Sequence, residues 1–391
     1  MKLVLLTHPQ SLPSESMPRF AAMISGAMAR RGYQVETWTS PPKLGRAGAR
    51  LPFIRKWLGY VDQFLLYPAE LRKKIAQQPS DTVFVVTDQA LGMWVPRLVH
   101  RPHVIHCHDF LALKSALKEF PEKATGWTGR QYQHLIRAGF SRGKAFISVS
   151  AKTRDDLHRF LPSRPNISEV IYNGLNHPFR PMGLEERTGI LKKCGGGIPD
   201  EGFILHVGGN QWYKNRPGVL KIYRAYAGLT VQPLSLVMIG AKPTEQLLQL
   251  AASIPTPGKV NFVSGLSNEQ VNAAYAHAKA FLFPSLEEGF GWPIVEAMTV
   301  GCPVITTNVR PLTEVAGSLA RLIPRRPANP HEEDSWAAGA AAVLNETLSL
   351  QGEERAKIIS QAKAHAARFN SDAVLDAYEQ VYSRVLVESS N

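Results

Sequence analysis

The chain has 391 residues, 44% hydrophobic and 20% charged, which is longer than one ordinary core and outside the disordered, collagenous and disulfide-rich classes. No apolar stretch reaches membrane-span length, and Cys107, Cys194 and Cys302 are too scattered for a disulfide framework or a zinc pattern, so a reducing, cytoplasmic setting with inert thiols is expected. The net charge of +13 is one-sided: residues 1–180 carry 26 Lys/Arg against 12 Asp/Glu, and the remainder carries 19 against 20, so an anionic partner is sought in the N-terminal half.

Strand-like and helix-like runs alternate along the chain, the pattern of an α/β protein with parallel sheets. Lys2–Thr7 reads as a first buried strand, too short an apolar run for a signal peptide. Arg19–Arg31 reads as a helix ending at Gly32. Further strands are expected at Gln34–Thr39, Thr82–Thr87, Val104–His108, Phe146–Ser150 and Glu169–Tyr172, the last running into a tight turn at Asn173-Gly174. No Gly-x-Gly-x-x-Gly follows the first strand, which argues against a dehydrogenase. Residues 41–60 mix Lys43, Arg46, Arg50, Arg55 and Lys56 with Leu51, Phe53, Ile54, Trp57 and Leu58, and Arg72-Lys73-Lys74 follows. That mixture suits the headgroup layer of an anionic membrane, with a solvated basic face as the competing reading. No RNA- or DNA-binding module is present, so no nucleic-acid partner is expected.

A glycine- and charge-rich stretch, 180–200, reads as a linker, after which the pattern restarts. Strands are expected at Phe203–Val207, Leu234–Ile239, Val260–Val263, Ala280–Phe283 and Val304–Thr306. The terminal segment Asp372–Val387 reads as a helix with Val374, Ala377, Tyr378, Val381 and Val385 on one face. The division expected is therefore 1–180 and 200–369, two Rossmann-like halves.

Chemistry concentrates in four segments. In Pro284–Met298 a strand leads through Gly289 and Gly291 to a helix with Pro293 in its first turn, a recipe for holding an anion on backbone N–H groups. Glu288 and Glu296 bracket that loop, placed to accept hydrogen bonds from sugar or ribose hydroxyls. Gly208-Gly209 follows another strand, and Lys214 lies just before a helical run starting near Pro217. Backbone approach plus a point charge suits a phosphate, and a plain turn with a solvated lysine is the alternative. Gly265-Leu266 precedes a helix that Ser267 would cap with Glu269-Gln270. His106-Cys107-His108-Asp109 ends a strand, with two histidines on one face, although no further clustered ligands accompany them and no metal is expected.

Glu288, seven residues, Glu296, then Ala297-Met298 and Gly301-Cys302-Pro303-Val304-Ile305, resembles the E-x7-E signature of retaining family-4 glycosyltransferases. Together with the 208–214 loop, His108-Asp109, Ser148–Thr153 and Tyr172–Gly174, the resemblance covers most of the chain. It implies a GT-B fold, two Rossmann-like domains with an interdomain cleft, in which the C-terminal helix 370–391 returns to an acceptor-binding N-terminal domain. It implies a nucleotide-sugar donor held by Gly208, Gly209, Lys214, Arg216, Gly265, Leu266, Glu288, Gly289, Phe290, Gly291, Ile294, Val295 and Glu296, with Lys214 on the diphosphate and His108 beside the donor sugar. Glu288, His108 and Lys214 would be the catalytic groups, no metal or other cofactor would be needed, and the leaving phosphate would take the acceptor's proton.

The chain departs from the family in two places. Gly209 stands where many members have an arginine five residues before the lysine, so that Lys214 works alone or Arg216 compensates. The loop Thr7–Pro18 lacks the usual glycine pair. Lys214-Asn215 resembles mannosyltransferases and tilts the donor toward GDP-mannose, with UDP-sugars next. The basic half implies a glycan or lipid-linked acceptor, as in envelope polysaccharide synthesis, and a peripheral place at the inner membrane face. A nucleotide-sugar epimerase or hydrolase on the same scaffold, and a non-catalytic basic membrane binder, are the competing classes.

Overall fold

A computed structural model describes residues 1–8, 16–44, 58–194 and 196–390. The chain divides into two compact units: Met1–Phe120 with Ala124–Asn176 and Ser371–Asn391, and Pro121–Lys123 with His177–Asn370. Most of the basic-apolar stretch (45–57) and most of the first loop (9–15) lie outside the described residues. Of its flanks, Lys43 and Lys74 both pair with Glu70, at 2.7 and 3.5 Å.

Six strands form the sheet of the first unit: β1 (Lys2–Thr7), β2 (Gln34–Thr39), β3 (Val83–Val86), β4 (His103–Cys107), β5 (Ala145–Ser148) and β6 (Ile167–Val170). They run parallel in the order β2-β1-β3-β4-β5-β6. The central strands read as unbroken apolar runs because helices cover both faces. One face buries Trp94, Phe110, Phe140 and Phe146. The other is closed by helices Ser16–Arg30 and Ser371–Ser390, the latter through Val374, Tyr378, Val381, Tyr382 and Val385.

The second unit repeats the plan with β7 (Ile204–Val207), β8 (Leu236–Ile239), β9 (Val260–Val263), β10 (Ala280–Phe283), β11 (Val304–Thr307) and β12 (Arg321–Ile323). All are parallel, in the order β12-β11-β10-β7-β8-β9, the doubly wound order of dinucleotide-binding sheets. Its topological switch point lies between β7 and β10, whose connections leave in opposite directions.

Two expectations need correction, and one strand is new. The supposed linker holds a helix, Leu184–Lys192, that packs against the helix Asn268–His277. Asn272 bonds the backbone of Arg180 in both senses, at 2.8 and 2.9 Å. Only Leu191 of the Leu184–Lys192 helix is buried, so its apolar periodicity was too weak to read. Asn173-Gly174 forms no turn; a Cβ at Gly174 would stand 2.8 Å from the Cα of Ser371, so the glycine serves a close approach of two segments of the same unit. Finally, β12 was not foreseen, being three residues at a sheet edge.

Candidate nucleotide-sugar site

The site assembles after β7 and β10, at the carboxyl ends that flank the switch point, where sheets of this kind leave a crevice. From β7 the chain enters Gly208–Asn210, makes one tight turn at Trp212–Lys214, and starts the helix Arg216–Ala227. Asn215 joins the two with φ of 52°, a left-handed conformation that asparagine tolerates better than most residues. Its buried side chain donates to the Pro284 carbonyl at 2.8 Å and accepts from Arg326 at 2.8 Å. The Tyr213 carbonyl accepts from the Ser285 hydroxyl (2.8 Å) and the Leu286 amide (2.7 Å). These bonds lash the lysine loop to the end of β10.

The result is a compact charged pair. Lys214 Nζ lies 2.7 Å from Glu288 Oε1, and the Ser285 hydroxyl donates to the same oxygen at 2.7 Å. Glu288 is 8% exposed, and the ammonium also stands over the Phe283 ring at 5.1 Å. The sequence placed both residues at the site but gave no sign that they pair with each other.

Glu296 sits one helical turn into Trp292–Val300 and accepts from the Tyr275 hydroxyl at 3.0 Å. Burial pushes its carboxyl up to about 7, against the opposing pull of the Tyr275 bond and the Lys214 charge. Lys214 therefore acts on both glutamates. Tyr275, fully buried, was not anticipated, because a tyrosine inside a helix pattern reads as core.

The glycines differ in use. A Cβ at Gly240, which has φ of +146°, would collide with the Gly208 carbonyl. The ends of β7 and β8 thus pass in direct backbone contact, a constraint the sequence reading missed. Gly291 caps the Trp292–Val300 helix with φ of +107°. Gly289 is buried, and Phe290 packs edge-on against Trp292 and Phe369, so this loop can offer a ligand only its backbone. Ile294 and Val295 are buried side chains. The expectation that the helix tip presents a row of free amides is narrowed: Pro293 has none, and the Ile294 N–H is committed to the Gly291 carbonyl at 3.0 Å.

Arg216, given above as a possible substitute for the arginine missing at 209, is 2% exposed and donates to the Asn210 side chain and to the Ala241 carbonyl, the latter at 2.9 Å. It braces the Gly208–Asn210 loop from beneath, and its Nε and Nη2 have no partner among the described residues. Gly265 and Leu266 follow the edge strand β9, two strands from β7, and Ser267 caps the next helix reciprocally with Gln270.

In the first unit, His108 follows β4. Its Nε2–H donates to the Thr87 carbonyl at 2.9 Å, and its ring packs edge-on against Phe20. Burial holds its pKa below the ordinary range against the pull of Asp88, so the ring is neutral with its lone pair on Nδ1. His106, which shares the Phe20 contact, instead meets the Tyr382 hydroxyl at 2.9 Å. Among the described residues no group of three or more His, Cys, Asp or Glu side chains is placed to hold a metal ion, and no helix is long and apolar enough to cross a membrane. The thiols of Cys107 and Cys302 are buried and raised, the latter to about 12, as inert cysteines should be.

Comparison with known proteins follows the same division. Residues 17–178 match Glycosyltransferase Family 4, and residues 195–365 match Glycosyl transferases group 1. The chain is 30% identical over 252 residues to O-antigen chain mannosyltransferase B of Escherichia coli, covering 64% of each chain. It is 24% identical to O-antigen chain mannosyltransferase RfbU of Salmonella typhimurium, covering 62% of this chain and 60% of that one. The matches thus span less than two thirds of the length of both relatives. Among solved structures it resembles sucrose-phosphate synthase from Thermosynechococcus elongatus (TM-score 0.72, 16% identity, 99% of both chains). It also resembles HepE of Anabaena, solved with UDP and glucose (TM-score 0.69, 16% identity, 98% of this chain and 100% of that one). At such identities these likenesses speak for the GT-B fold alone. With one family description on each half, the chain belongs to the group 1, family-4 glycosyltransferases.

Proposed function

We propose that this protein transfers a sugar from a nucleoside-diphosphate donor to a glycan or lipid-linked acceptor in envelope polysaccharide synthesis, with retention of anomeric configuration. The observation that carries the reading is the Lys214–Glu288 pair at 2.7 Å, seated at a switch point beside Glu296. A departing nucleoside diphosphate gains negative charge, which preorganised donors must meet. Lys214 and the backbone N–H of Gly209 supply them at the surface, the Gly208 N–H being committed to the Ile239 carbonyl at 2.9 Å, and the buried Arg216 adds its field from below, in place of the arginine missing at 209. Glu288 and the Gly289–Gly291 backbone orient the sugar, and Glu296 takes the ribose hydroxyls. Gly265 and Leu266 offer backbone groups to the base, and Nδ1 of His108 accepts from a hydroxyl of the donor sugar. With fixed cations in place no metal is required, and the leaving phosphate takes the acceptor's proton.

The names of the relatives, mannosyltransferases of O-antigen chains, and the Lys214-Asn215 pair favour GDP-mannose over UDP-sugars. They also favour a cytoplasmic enzyme working at the inner membrane face, where the basic N-terminal half meets anionic lipid. The test is a panel of GDP- and UDP-sugars, read first as thermal stabilisation and then as transfer to lipid-linked glycans with EDTA present. Retention is read from the anomeric coupling of the product. Binding of one donor, transfer unaffected by EDTA, and loss of both binding and transfer in Glu288→Ala are expected. Donor turnover that ignores acceptor would favour an epimerase or hydrolase, and no stabilisation by any nucleotide sugar would refute the reading.

A further inference from the structure

Tyr275 has no part in the reaction described so far, yet its hydroxyl reaches one of the two glutamates. It lies on the helix Asn268–His277 and is fully buried. Its ring packs edge-on against Phe281 at 5.1 Å and Phe179 at 6.0 Å. Three residues earlier, Asn272 ties the same helix to the Arg180 backbone in both senses. A ring held on so many sides fixes where its hydroxyl points. That hydroxyl donates to Oε2 of Glu296 at 3.0 Å. Burial and the Glu296 charge push the phenol well above its ordinary range, so it stays a donor at any working pH.

Glu296 is part-exposed and makes no second hydrogen bond among the described residues. Oε2 is thus taken from behind, and Oε1 is left for a ligand. Lys214 acts on the carboxylate at longer range, since its ammonium is bonded to Glu288. The other titratable and charged groups on neighbouring elements are engaged elsewhere. Cys302, beside Tyr275, stays a thiol up to about 12. His277 meets the Asp200 carbonyl and His365 the Val315 carbonyl, at 2.9 and 2.8 Å. Glu314 pairs with Arg310, and Lys363 lies over Gly301. The phenol is therefore the group that orients this carboxylate. A hydrogen bond to the charged form favours that form, and a carboxylate accepts at both oxygens where the acid must keep one proton.

We propose that Tyr275 is a positioning residue: its hydroxyl holds Glu296 with Oε1 toward the nucleotide, and so sets a preference for ribose over deoxyribose. The inference rests on the nucleotide-sugar reading and adds the residue on which sugar discrimination in the nucleoside depends. A site built to receive a hydroxyl rejects the analogue that lacks it, because its own polar atom is then left unpaired. Gly265 and Leu266 lie just before the start of the same helix, so the proposed base and ribose contacts depend on one element.

The test is titration calorimetry of the full chain with GDP, UDP and their 2′-deoxy and 3′-deoxy forms across neutral to alkaline pH. The proteins are the wild type, Tyr275→Phe, Glu296→Gln and the double variant. The ratio of ribose to deoxyribose affinity is the readout, because the titration of the phosphates cancels in it. The wild type should favour ribose over at least one deoxy form. Tyr275→Phe keeps the ring against Phe281 and Phe179 and removes one hydrogen bond to a charged group. The pH at which the preference develops should therefore rise by about one unit. That shift lowers the preference about fivefold at pH 7, with recovery by about pH 9 and little change in deoxyribose affinity. In the Glu296→Gln background, loss of the hydroxyl should change nothing further.

Equal weakening of ribose and deoxyribose forms would show that the tyrosine only packs, and would overturn the inference. So would an unchanged preference, or a loss that persists in Glu296→Gln. A wild type that binds nucleotides without distinguishing the two sugars would also overturn it, leaving the rest of the donor site standing. A wild type that binds no nucleotide would overturn the function itself, and this inference with it.

Discussion

Lys214 and Glu288 hold each other where a donor would have to separate or share them, and a double-mutant cycle measures how much the fold depends on the pair. The side chains are 16% and 9% exposed and 2.7 Å apart. Removing one partner of a fully buried pair costs about 3–5 kcal/mol, because the other charge is stranded. In Lys214→Met the carboxylate keeps the Ser285 hydroxyl and some contact with water, so about 2–3 kcal/mol is expected. Glu288→Gln strands an ammonium that still lies over Phe283 and should cost only about 1 kcal/mol. The double variant strands nothing and should also cost about 1 kcal/mol, leaving a coupling of about 2–3 kcal/mol. For a unit of this size Lys214→Met should lower Tm by about 5–10 °C, whereas all three variants lose nucleotide-sugar stabilisation. Calorimetry of the four proteins, with and without GDP-mannose or UDP-sugars, reads both effects. Additive Tm shifts would refute the stranded-charge argument, and retained nucleotide response in Lys214→Met would refute its role on the diphosphate.

Glu296, raised from 4.5 to about 7, should make donor affinity rise between pH 6 and 8, because the ionised carboxylate is the better acceptor for ribose hydroxyls. Titration calorimetry across that range should show the slope, and Glu296→Gln should flatten it. The same shift has a stability counterpart of opposite sense. The folded state holds the proton more tightly, so the group's contribution is complete below about 4.5 and is lost as pH rises to about 7; Glu296→Gln should gain on the wild type above that point in pH-dependent melting. Gly240→Ala places a Cβ against the Gly208 carbonyl at a positive φ, which should cost about 2 kcal/mol or more and weaken nucleotide-sugar binding. Equal melting temperatures would show that the β7 and β8 ends relax at no cost.

Strands buried along their length announce themselves as short apolar runs, and β1 and β10 lie where the sequence placed them. The three-residue edge strand β12 and the Leu184–Lys192 helix, which buries one side chain, carry no such signal and went unread, whereas the longer edge strands β2 and β9 were legible. At the site, the glutamate spacing and glycine loops were legible because they are local in sequence. The Lys214–Glu288 pair, 74 positions apart, and the Tyr275–Glu296 bond, across two helices, were not, since pairing at such range is fixed by sheet order. The enclosure of Arg216 was not legible for a related reason. An arginine beside a phosphate loop looks like a ligand contact, and only the crossing of the β7 and β8 loops shows that it is enclosed between Asn210 and Ala241.

The same reasoning explains why the loops after β7 and β10 were singled out from sequence and the contact after β1 and β3 was not. Around β7 and β10 the chemistry rides on backbone devices, glycines and a helix start, that constrain consecutive residues and leave a pattern. Around β1 and β3 the strand ends are joined by His8 and Asp88, two side chains 80 positions apart and 2.8 Å from each other, each unremarkable in its own segment: a histidine after an apolar run and an aspartate that caps the following turn through Ala90. Parallel topology makes them neighbours, because β1 and β3 pair in register from Leu3 with Val83 to Leu6 with Val86, which brings their carboxyl ends level. A one-residue slip in that register would turn one strand's side chains to the opposite face and separate His8 from Asp88. The dyad is thus a consequence of sheet register, and a change that shifts β1 against β3 should disrupt it without touching either residue.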